Sequence, residues 1–241
     1  MADNSVWRET KIVTVLGPDG NPFRYNLARV GPAHWLNLRQ CDFGDDFEMP
    51  TASSLVPLVH SAAHPEIRDR ESAQGVLGKW LVGDTLALKG KKGLYGVDFP
   101  TVRGGRIHMT ERTLRSKLGS REESGVVFSN DGSVRFTPYD DLQTGEMTVG
   151  QFAFNRGVAV VHGGFENAML LAQASSLYKV KPYFACAKKA PEKPEIEVPG
   201  VCADSILYGG LGVNCGGSSG GGLWYSFGVR CDTGEARAPK K

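Results

Sequence analysis

The sequence predicts an α+β domain in which short antiparallel strands outnumber the helices. Its 241 residues include 31 glycines and 13 prolines, so turns should be frequent and helix should be the minority. Short β-branched runs alternate with turn signals, whereas two or three segments show helical spacing of apolar residues. An apolar fraction of 41% and a charged fraction of 22% are ordinary for a globular chain. We therefore expect short twisted antiparallel strands, two or three helices and some inserted segments.

Two β-hairpins are predicted. The run KIVTVL at 11–16 precedes the turn Gly-Pro-Asp-Gly, and the strand FRYNL at 23–27 follows it. The runs 125–128 and 133–138 flank Ser-Asn-Asp-Gly in the same manner.

Helix signals occur in four places. Residues 49–64 carry apolar side chains at helical spacing, and Thr51, Ser53 or Ser54 could cap this helix. Pro57 is tolerated best in a first turn, which favours Ser53 or Ser54 over Thr51. Thr110 should cap a short helix that ends with a left-handed residue at Gly119. The run FENAMLLAQASSLY, residues 165–178, is the clearest amphipathic helix. A short helix is also expected near 148–154.

The remaining strands are expected at 106–109, 157–161, 182–187, 196–201 and at the last apolar run, 223–230. Alternation in this final strand separates its side chains into two groups. One face should carry Leu223, Tyr225, Phe227 and Val229, and the other Trp224, Ser226, Gly228 and Arg230. Phe227 and Val229 are therefore predicted core residues.

Composition argues against several classes of function. A net charge of +2 gives no general reason to expect a nucleic-acid partner. No apolar run approaches the roughly 18 residues of a membrane span, and no signal peptide is evident at the start of the chain. The location stays open between virion-associated and cytoplasmic.

Neither metal nor catalytic chemistry is predicted. The five cysteines are widely spaced and form no CxxC pair, which favours mostly free thiols but leaves a single bridge open. His60 and His64 share a helix face without an intervening glutamate, and the acidic run near Asp42 has no calcium-loop spacing. We expect no cofactor, no metal and no catalytic residue.

A glycine-rich stretch, SILYGGLGVNCGGSSGGGLWYSFGVR, spans residues 205–230. Eight of the fourteen residues from Gly209 to Gly222 are glycine and none of the fourteen is charged. Glycine loses more chain entropy on folding than other residues, so such a segment needs a scaffold that holds it. A plain surface loop is one interpretation. A phosphate-binding loop is disfavoured because no Lys-Ser/Thr pair follows and no helix begins there.

Two passages resemble a known fold family. The run MPTASSLVPLV at 49–59 resembles the helix start of C-type-lectin-like domains related to the formylglycine-generating-enzyme fold. The closing run YSFGVR at 225–230 resembles the last strand of that fold, as it occurs in the variable proteins of diversity-generating retroelements. Met49, Ser54 and Pro57 depart from the usual helix pattern.

This resemblance implies a single domain over 1–241, with an insertion at about 85–195 and a variable ligand-binding region with the final strand at 205–230. The implied function is non-enzymatic recognition or display, with an unknown protein or cell-surface ligand as partner. The implied ligand-facing residues are Tyr208, Leu211, Asn214, Ser218, Ser219, Leu223, Trp224 and Tyr225.

Codon chemistry adds a separate argument. Adenine-directed mutation of codons that end in a pyrimidine can produce every amino acid found from Ser205 to Tyr225 except tryptophan, which occurs there at Trp224. A tryptophan at this position, Trp224, is more often a core or edge packing residue than one that stacks on a ligand. Two other functions stay open, a structural virion or envelope component with a glycine spacer, and a small-molecule enzyme with the same fold. The related cysteine-pair oxidase activity is disfavoured because Cys215 and Cys231 match no known pattern.

Overall fold

The computed structural model describes residues 12–44, 46–67, 69, 71–187, 189–205, 210–215 and 224–231. Within these ranges the chain forms sixteen strands and seven α-helices, which confirms the α+β class. The strands are β1 Ile12–Leu16, β2 Pro22–Ala33, β3 Leu81–Val82, β4 Thr85–Lys89, β5 Gly93–Asp98, β6 Val102–Arg103, β7 Arg106–Ile107, β8 Leu118–Glu123, β9 Val126–Ser129, β10 Val134–Pro138, β11 Gly145–Glu146, β12 Lys181–Ala185, β13 Glu195–Glu197, β14 Gly200–Ser205, β15 Gly210–Asn214 and β16 Trp224–Cys231. The helices are α1 Trp35–Leu38, α2 Ala52–Ala62, α3 Glu71–Leu77, α4 Glu111–Arg115, α5 Val149–Ala153, α6 Arg156–His162 and α7 Phe165–Tyr178.

Two large sheets organise the fold. The first has eight strands in the order β1-β2-β16-β3-β14-β15-β12-β11, and the second has six in the order β13-β4-β5-β10-β9-β8. Strands β6 and β7 form a small separate ribbon. Helix α6 packs against β5 and β10 of the second sheet, while α7 packs against β12 and β14 of the first. The long helices α2 and α7 contact each other and α6, so a helical layer joins the two sheets.

Both predicted hairpins are confirmed. Strands β1 and β2 pair antiparallel around the turn at 17–20, and β9 and β10 pair around the Ser-Asn-Asp-Gly turn. The amphipathic helix is confirmed with the predicted bounds, Phe165–Tyr178. The short helix near 148–154 is confirmed as α5, and the strand near 182–187 as β12.

The predicted cap of helix α2 was wrong. Thr51, not Ser53 or Ser54, is the cap, and its side chain accepts a hydrogen bond from the Ser54 amide. The Ser54 hydroxyl accepts one in return from the Thr51 amide at 3.0 Å, which completes a capping box. Pro57 therefore lies inside the helix rather than in its first turn. Two satisfied amides and a buried helix face outweigh the backbone hydrogen bond that Pro57 removes.

Three other local predictions need correction. Residues 157–161 belong to helix α6 rather than to a strand, because Asn155 caps the segment by accepting from the Val158 amide. Thr110 does cap α4, but this helix ends at Arg115, and Gly119 lies in strand β8. The apolar run 196–201 is divided between β13 and β14, which belong to different sheets. A short apolar run of β-branched residues does not by itself distinguish a buried helix from a buried strand.

The core consists of two clusters. The larger one lies among α2, α6, α7 and the first sheet, and the smaller one lies near α1, β4, β5 and the start of β16. None of the described helices is long and apolar enough to cross a membrane. A single domain with an insertion at about 85–195 stays a prediction.

Candidate functional site

The final strand β16 is an interior strand of the first sheet. It pairs antiparallel with β2 along one edge, from Trp224 opposite Ala33 to Cys231 opposite Phe23. Along its other edge it pairs with β3 at Tyr225, and Val229 exchanges two backbone hydrogen bonds with Glu48 at 2.9 and 3.0 Å. Neighbours on both edges leave β16 little freedom to shift.

The side chains of β16 are fixed as alternation predicts. Phe227 and Val229 lie in the larger core cluster with Tyr225 packed against it, and Trp224 lies in the smaller one. The prediction that Phe227 and Val229 are core residues is therefore confirmed. Ser226 is fully buried, and its hydroxyl donates to the Val82 carbonyl at 2.9 Å.

Residues 210–214 of the glycine-rich stretch form a buried strand that the sequence did not predict. Strand β15 pairs antiparallel with β14 and parallel with β12, and Leu211 and Val213 are fully buried in the larger core. Gly210 permits a close approach, since a Cβ atom there would lie 2.3 Å from the Lys181 carbonyl oxygen. This strand needs glycine where its backbone meets β12.

The ends of the segment 216–223 are held by the sheet. At one end the Cys215 amide donates to the Ala185 carbonyl at 2.7 Å, and at the other the Tyr225 amide donates to the Trp80 carbonyl at 3.2 Å. Strands β3 and β14 lie between β16 and β15 in the sheet. Because β16 is parallel to β3, β3 is antiparallel to β14, and β14 is antiparallel to β15, strands β15 and β16 run in the same direction. Three sheet spacings separate these anchors laterally by about 14 Å.

Tyr225 presents an aromatic ring beside two cations. The Arg29 guanidinium carbon lies 4.8 Å from the centre of this ring, and the Lys79 ammonium lies 5.7 Å from it. Tyr225 is half-buried, and Arg29 is exposed. A positive charge over a ring face is attracted by its quadrupole. The ring and both cations therefore form one mixed aromatic and basic patch, which we call the Tyr225 patch.

Trp224 is a packing residue in the smaller core cluster, on the opposite face of β16 from Tyr225. It is 7% exposed, and its ring meets that of Trp80 edge-on, with centroids 6.5 Å apart and planes at 82°. A Cβ atom on Gly200 would come within 3.2 Å of the Trp224 ring, so the backbone of β14 packs closely against this indole. The indole N–H of Trp224 has no acceptor among the described residues.

The predicted ligand-facing residues fall into three groups. Tyr208, Ser218, Ser219 and Leu223 lie outside the described residues. Leu211 and Trp224 are buried, whereas Asn214 and Tyr225 are half-buried at the two ends of the intervening segment. Sequence reasoning missed Arg29, Lys79 and Trp80, which come from distant parts of the chain. No local pattern marks them, because only the pairing of β2, β3 and β16 brings them together.

No three histidine, cysteine, aspartate or glutamate side chains converge on a common point in the described part of the chain. All five cysteines are free thiols.

Comparison with known proteins supports the fold. No protein-family model matches the chain, and no curated protein matches it. A solved structure from work on the accommodation of massive sequence variation in Nanoarchaeota by the C-type lectin fold does match. The TM-score is 0.53 at 15% identity, over 84% of this chain and 96% of that one. The chain thus has a C-type-lectin-like fold, as the runs at 49–59 and 225–230 predicted.

Proposed function

We propose that this protein is a non-enzymatic ligand-binding protein, of the recognition or display kind, whose region 205–230 is diversified by a retroelement. The observation that carries this proposal is the way the sheet holds both ends of 216–223. The Cys215 and Tyr225 amides bind carbonyls of neighbouring segments, and Leu211, Val213, Phe227 and Val229 of β15 and β16 are buried in the core. A rigid scaffold with an independently anchored segment permits exchange of surface residues without refolding.

The codon argument gains support from the burial of Trp224. It is the one residue between Ser205 and Tyr225 that the mutational chemistry does not reach, and it is 7% exposed. A residue type that diversification cannot produce belongs to the framework under this proposal. Leu211 is reachable but fully buried, so the proposed surface leaves it out.

The proposed surface therefore consists of Tyr208, Asn214, Ser218, Ser219, Leu223 and Tyr225. Arg29 and Lys79 border it as constant residues, because they lie outside 205–230. Aromatic and arginine side chains concentrate binding energy at protein interfaces. We expect acidic partner surfaces to suit the Tyr225 patch, because it offers two positive charges around one ring.

A stability comparison tests the independence of the segment. Replacing Ser218, Ser219 and Leu223 together by asparagine should shift the melting temperature by a few degrees at most, as surface substitutions do. Phe227→Ala, in the neighbouring framework, should cost about 3–5 kcal/mol because it leaves a cavity in the core. A loss in the triple variant as large as that of Phe227→Ala contradicts the proposal.

Retargeting tests the function itself. A library randomised at Tyr208, Asn214, Ser218, Ser219 and Tyr225 is displayed and selected against purified lysozyme as an arbitrary target. We expect folded binders whose affinity is lost when the original residues are restored. If every folded member fails to bind, or every binder is unfolded, display by this surface is excluded.

Gene sequences test the diversification. The codons for 208–225 should vary between sister genomes while those for Phe227 and Val229 stay constant. A near-duplicate of the stretch should lie beside a reverse transcriptase gene. Uniform drift along the whole gene is the opposing result.

A further inference from the structure

Two thiols from distant parts of the chain meet where β12 and β15 end. Ala185 pairs with Asn214 at the end of the parallel register, and Cys186 and Cys215 are the residues that directly follow this pair. The Cys215 amide donates to the Ala185 carbonyl at 2.7 Å, which holds the two cysteines on adjacent chains of the sheet. Neighbouring strands lie about 4.8 Å apart, which falls within the Cα separation of about 4.4–6.8 Å that a disulfide spans. The backbone therefore needs little rearrangement to join these two sulfurs.

The two thiols differ in access. Cys186 is partly exposed and lines a cavity of about 420 Å³ with Lys89, Tyr183 and Asn214. Cys215 is fully buried in the larger core cluster. A reagent in the cavity can thus reach the sulfur of Cys186 first, while Cys215 is reached only through it.

The electrostatics also distinguish them. The hydrogen bond from Cys215, followed by the nearby Lys89 ammonium, lowers the pKa of the Cys186 thiol, although burial and Glu197 oppose this. Burial raises the pKa of Cys215 well above its ordinary value, and its contact with Cys186 adds to the effect. The thiolate is the reactive form of cysteine, so Cys186 is the nucleophile of the pair.

The other charged groups near this pair are arranged around Lys89. Its ammonium lies 3.0 Å from Glu197 Oε1 and 3.6 Å from Glu195 Oε2. The Tyr139 hydroxyl, whose pKa is raised by burial and then by the charge of Cys186, donates to the Gly90 carbonyl at 3.0 Å. These contacts hold the Lys89 ammonium beside the cavity that Cys186 lines.

We propose that Cys186 and Cys215 form a thiol–disulfide exchange site for low-molecular-weight disulfides. The Cys186 thiolate attacks one sulfur of the disulfide RSSR, the S–S bond breaks, and RS⁻ leaves and takes up a proton from water. The Cys215 thiol then gives its proton to water and attacks the Cys186 sulfur of the mixed disulfide. A second RS⁻ departs and is protonated. The protein dithiol is thereby oxidised to one disulfide, and RSSR is reduced to two RSH.

This proposal does not depend on the ligand surface. The remaining thiols supply internal references, since Cys41 and Cys231 are exposed and Cys202 is buried. The Cys41 thiol donates to the Asn37 carbonyl within its own turn at 3.3 Å. Cys41 therefore serves as the reference for an exposed thiol that lies beside neither Lys89 nor Cys215.

The experiment exposes the reduced full-length protein to oxidised glutathione at pH 7 and maps its peptides by mass spectrometry. We expect a peptide pair joined through Cys186 and Cys215, with a loss of two hydrogens. In Cys215→Ala, a glutathione adduct should persist at Cys186 because no second thiol displaces it. In Cys186→Ser, Cys215 should stay unmodified. Adducts at Cys41 and Cys231 without a joined peptide pair in the parent protein overturn the proposal.

A second measurement needs no variant. The rate of alkylation by iodoacetamide is followed against pH for Cys186 and Cys41 in the same sample. Cys186 should reach its half-maximal rate at the lower pH, because Cys215 and Lys89 stabilise its thiolate. Equal profiles for the two thiols contradict the assignment of Cys186 as the attacking group, whether or not the variants fold.

Discussion

The guanidinium of Arg135 binds the carboxylate of Asp98 through both terminal nitrogens, at 2.6 and 2.9 Å. The Arg135 side chain is 2% exposed, and its Nε also donates to the Val160 carbonyl of helix α6 at 2.7 Å. Asp98 accepts from the Thr85 hydroxyl at 2.6 Å, and this hydroxyl accepts from the Ala52 amide at 2.8 Å. One buried network therefore joins the second sheet to the first residue of helix α2 and to the last turn of helix α6.

Arg135→Met should destabilise the protein by about 3–5 kcal/mol, because it leaves the Asp98 carboxylate buried without its partner. Arg103→Met, on an exposed strand, is the matched control and should change the free energy of unfolding by less than about 0.5 kcal/mol. Chemical denaturation measures both. Equal effects for the two variants would show that Arg135 and Asp98 do not stabilise the contact between the layers.

Stability should fall as the pH is lowered through the titration of His162. Burial, followed by the charge of Arg135, lowers the pKa of His162 from its ordinary 6.5 to about 4, against the opposing bond to Ala52. Its Nδ1 lies 3.2 Å from the Ala52 carbonyl, and its buried Nε2 has no hydrogen-bond partner among the residues that the structure describes, as suits a neutral ring. The unfolded chain therefore binds a proton at a higher pH than the folded chain does.

The stabilisation of the folded state by neutral His162 is fully present above pH 6.5 and is lost as the pH falls from 6.5 to about 4. A difference of this size corresponds to about 3 kcal/mol in the free energy of unfolding. Denaturation curves across this window measure the slope, and His162→Asn should flatten it. If the slope persists in that variant, other groups such as His60, whose pKa is also lowered by burial, carry the pH dependence.

Gly210→Ala should destabilise the first sheet. Its Cβ atom would lie 2.3 Å from the Lys181 carbonyl oxygen, so β15 and β12 must separate. Gly75→Ala is the matched control, because Gly75 lies inside helix α3 with no atom within 4 Å of the added methyl. That control should stabilise by about 0.5–1 kcal/mol. Thermal melting should show opposite signs, and two shifts of the same sign would contradict the close approach at Gly210.

The cap of helix α2 can be assigned by two substitutions. Thr51→Ala should cost about 1 kcal/mol because the Ser54 amide loses its acceptor. Ser53→Ala should cost less, since the Ser53 hydroxyl contacts the Thr51 hydroxyl at 2.7 Å but caps no amide. Denaturant titration of both variants decides between the two positions. The reverse order of effects would favour a helix that starts at Ser53.

The sequence by itself determined the elements whose signals are local. The turns at 17–20 and 129–132, the helix from Phe165 to Tyr178 and the alternation of Phe227 with its neighbours follow from short-range chain geometry. The resemblance at 225–230 identified the fold because its last strand carries framework residues. Alternation along the same strand places Phe227 and Val229 in the core.

Only the tertiary structure decided which distant residues meet. Strand β15 is built from glycine-rich sequence that has no strong preference of its own, and it forms because β12 and β14 pair with it. Residues 157–161 form a helix because the Asn155 cap and the surrounding core outweigh their β-branched composition. The Tyr225 patch and the pair of Cys186 with Cys215 arise from strand order in the sheet. Strand order depends on long-range packing, which no local pattern encodes.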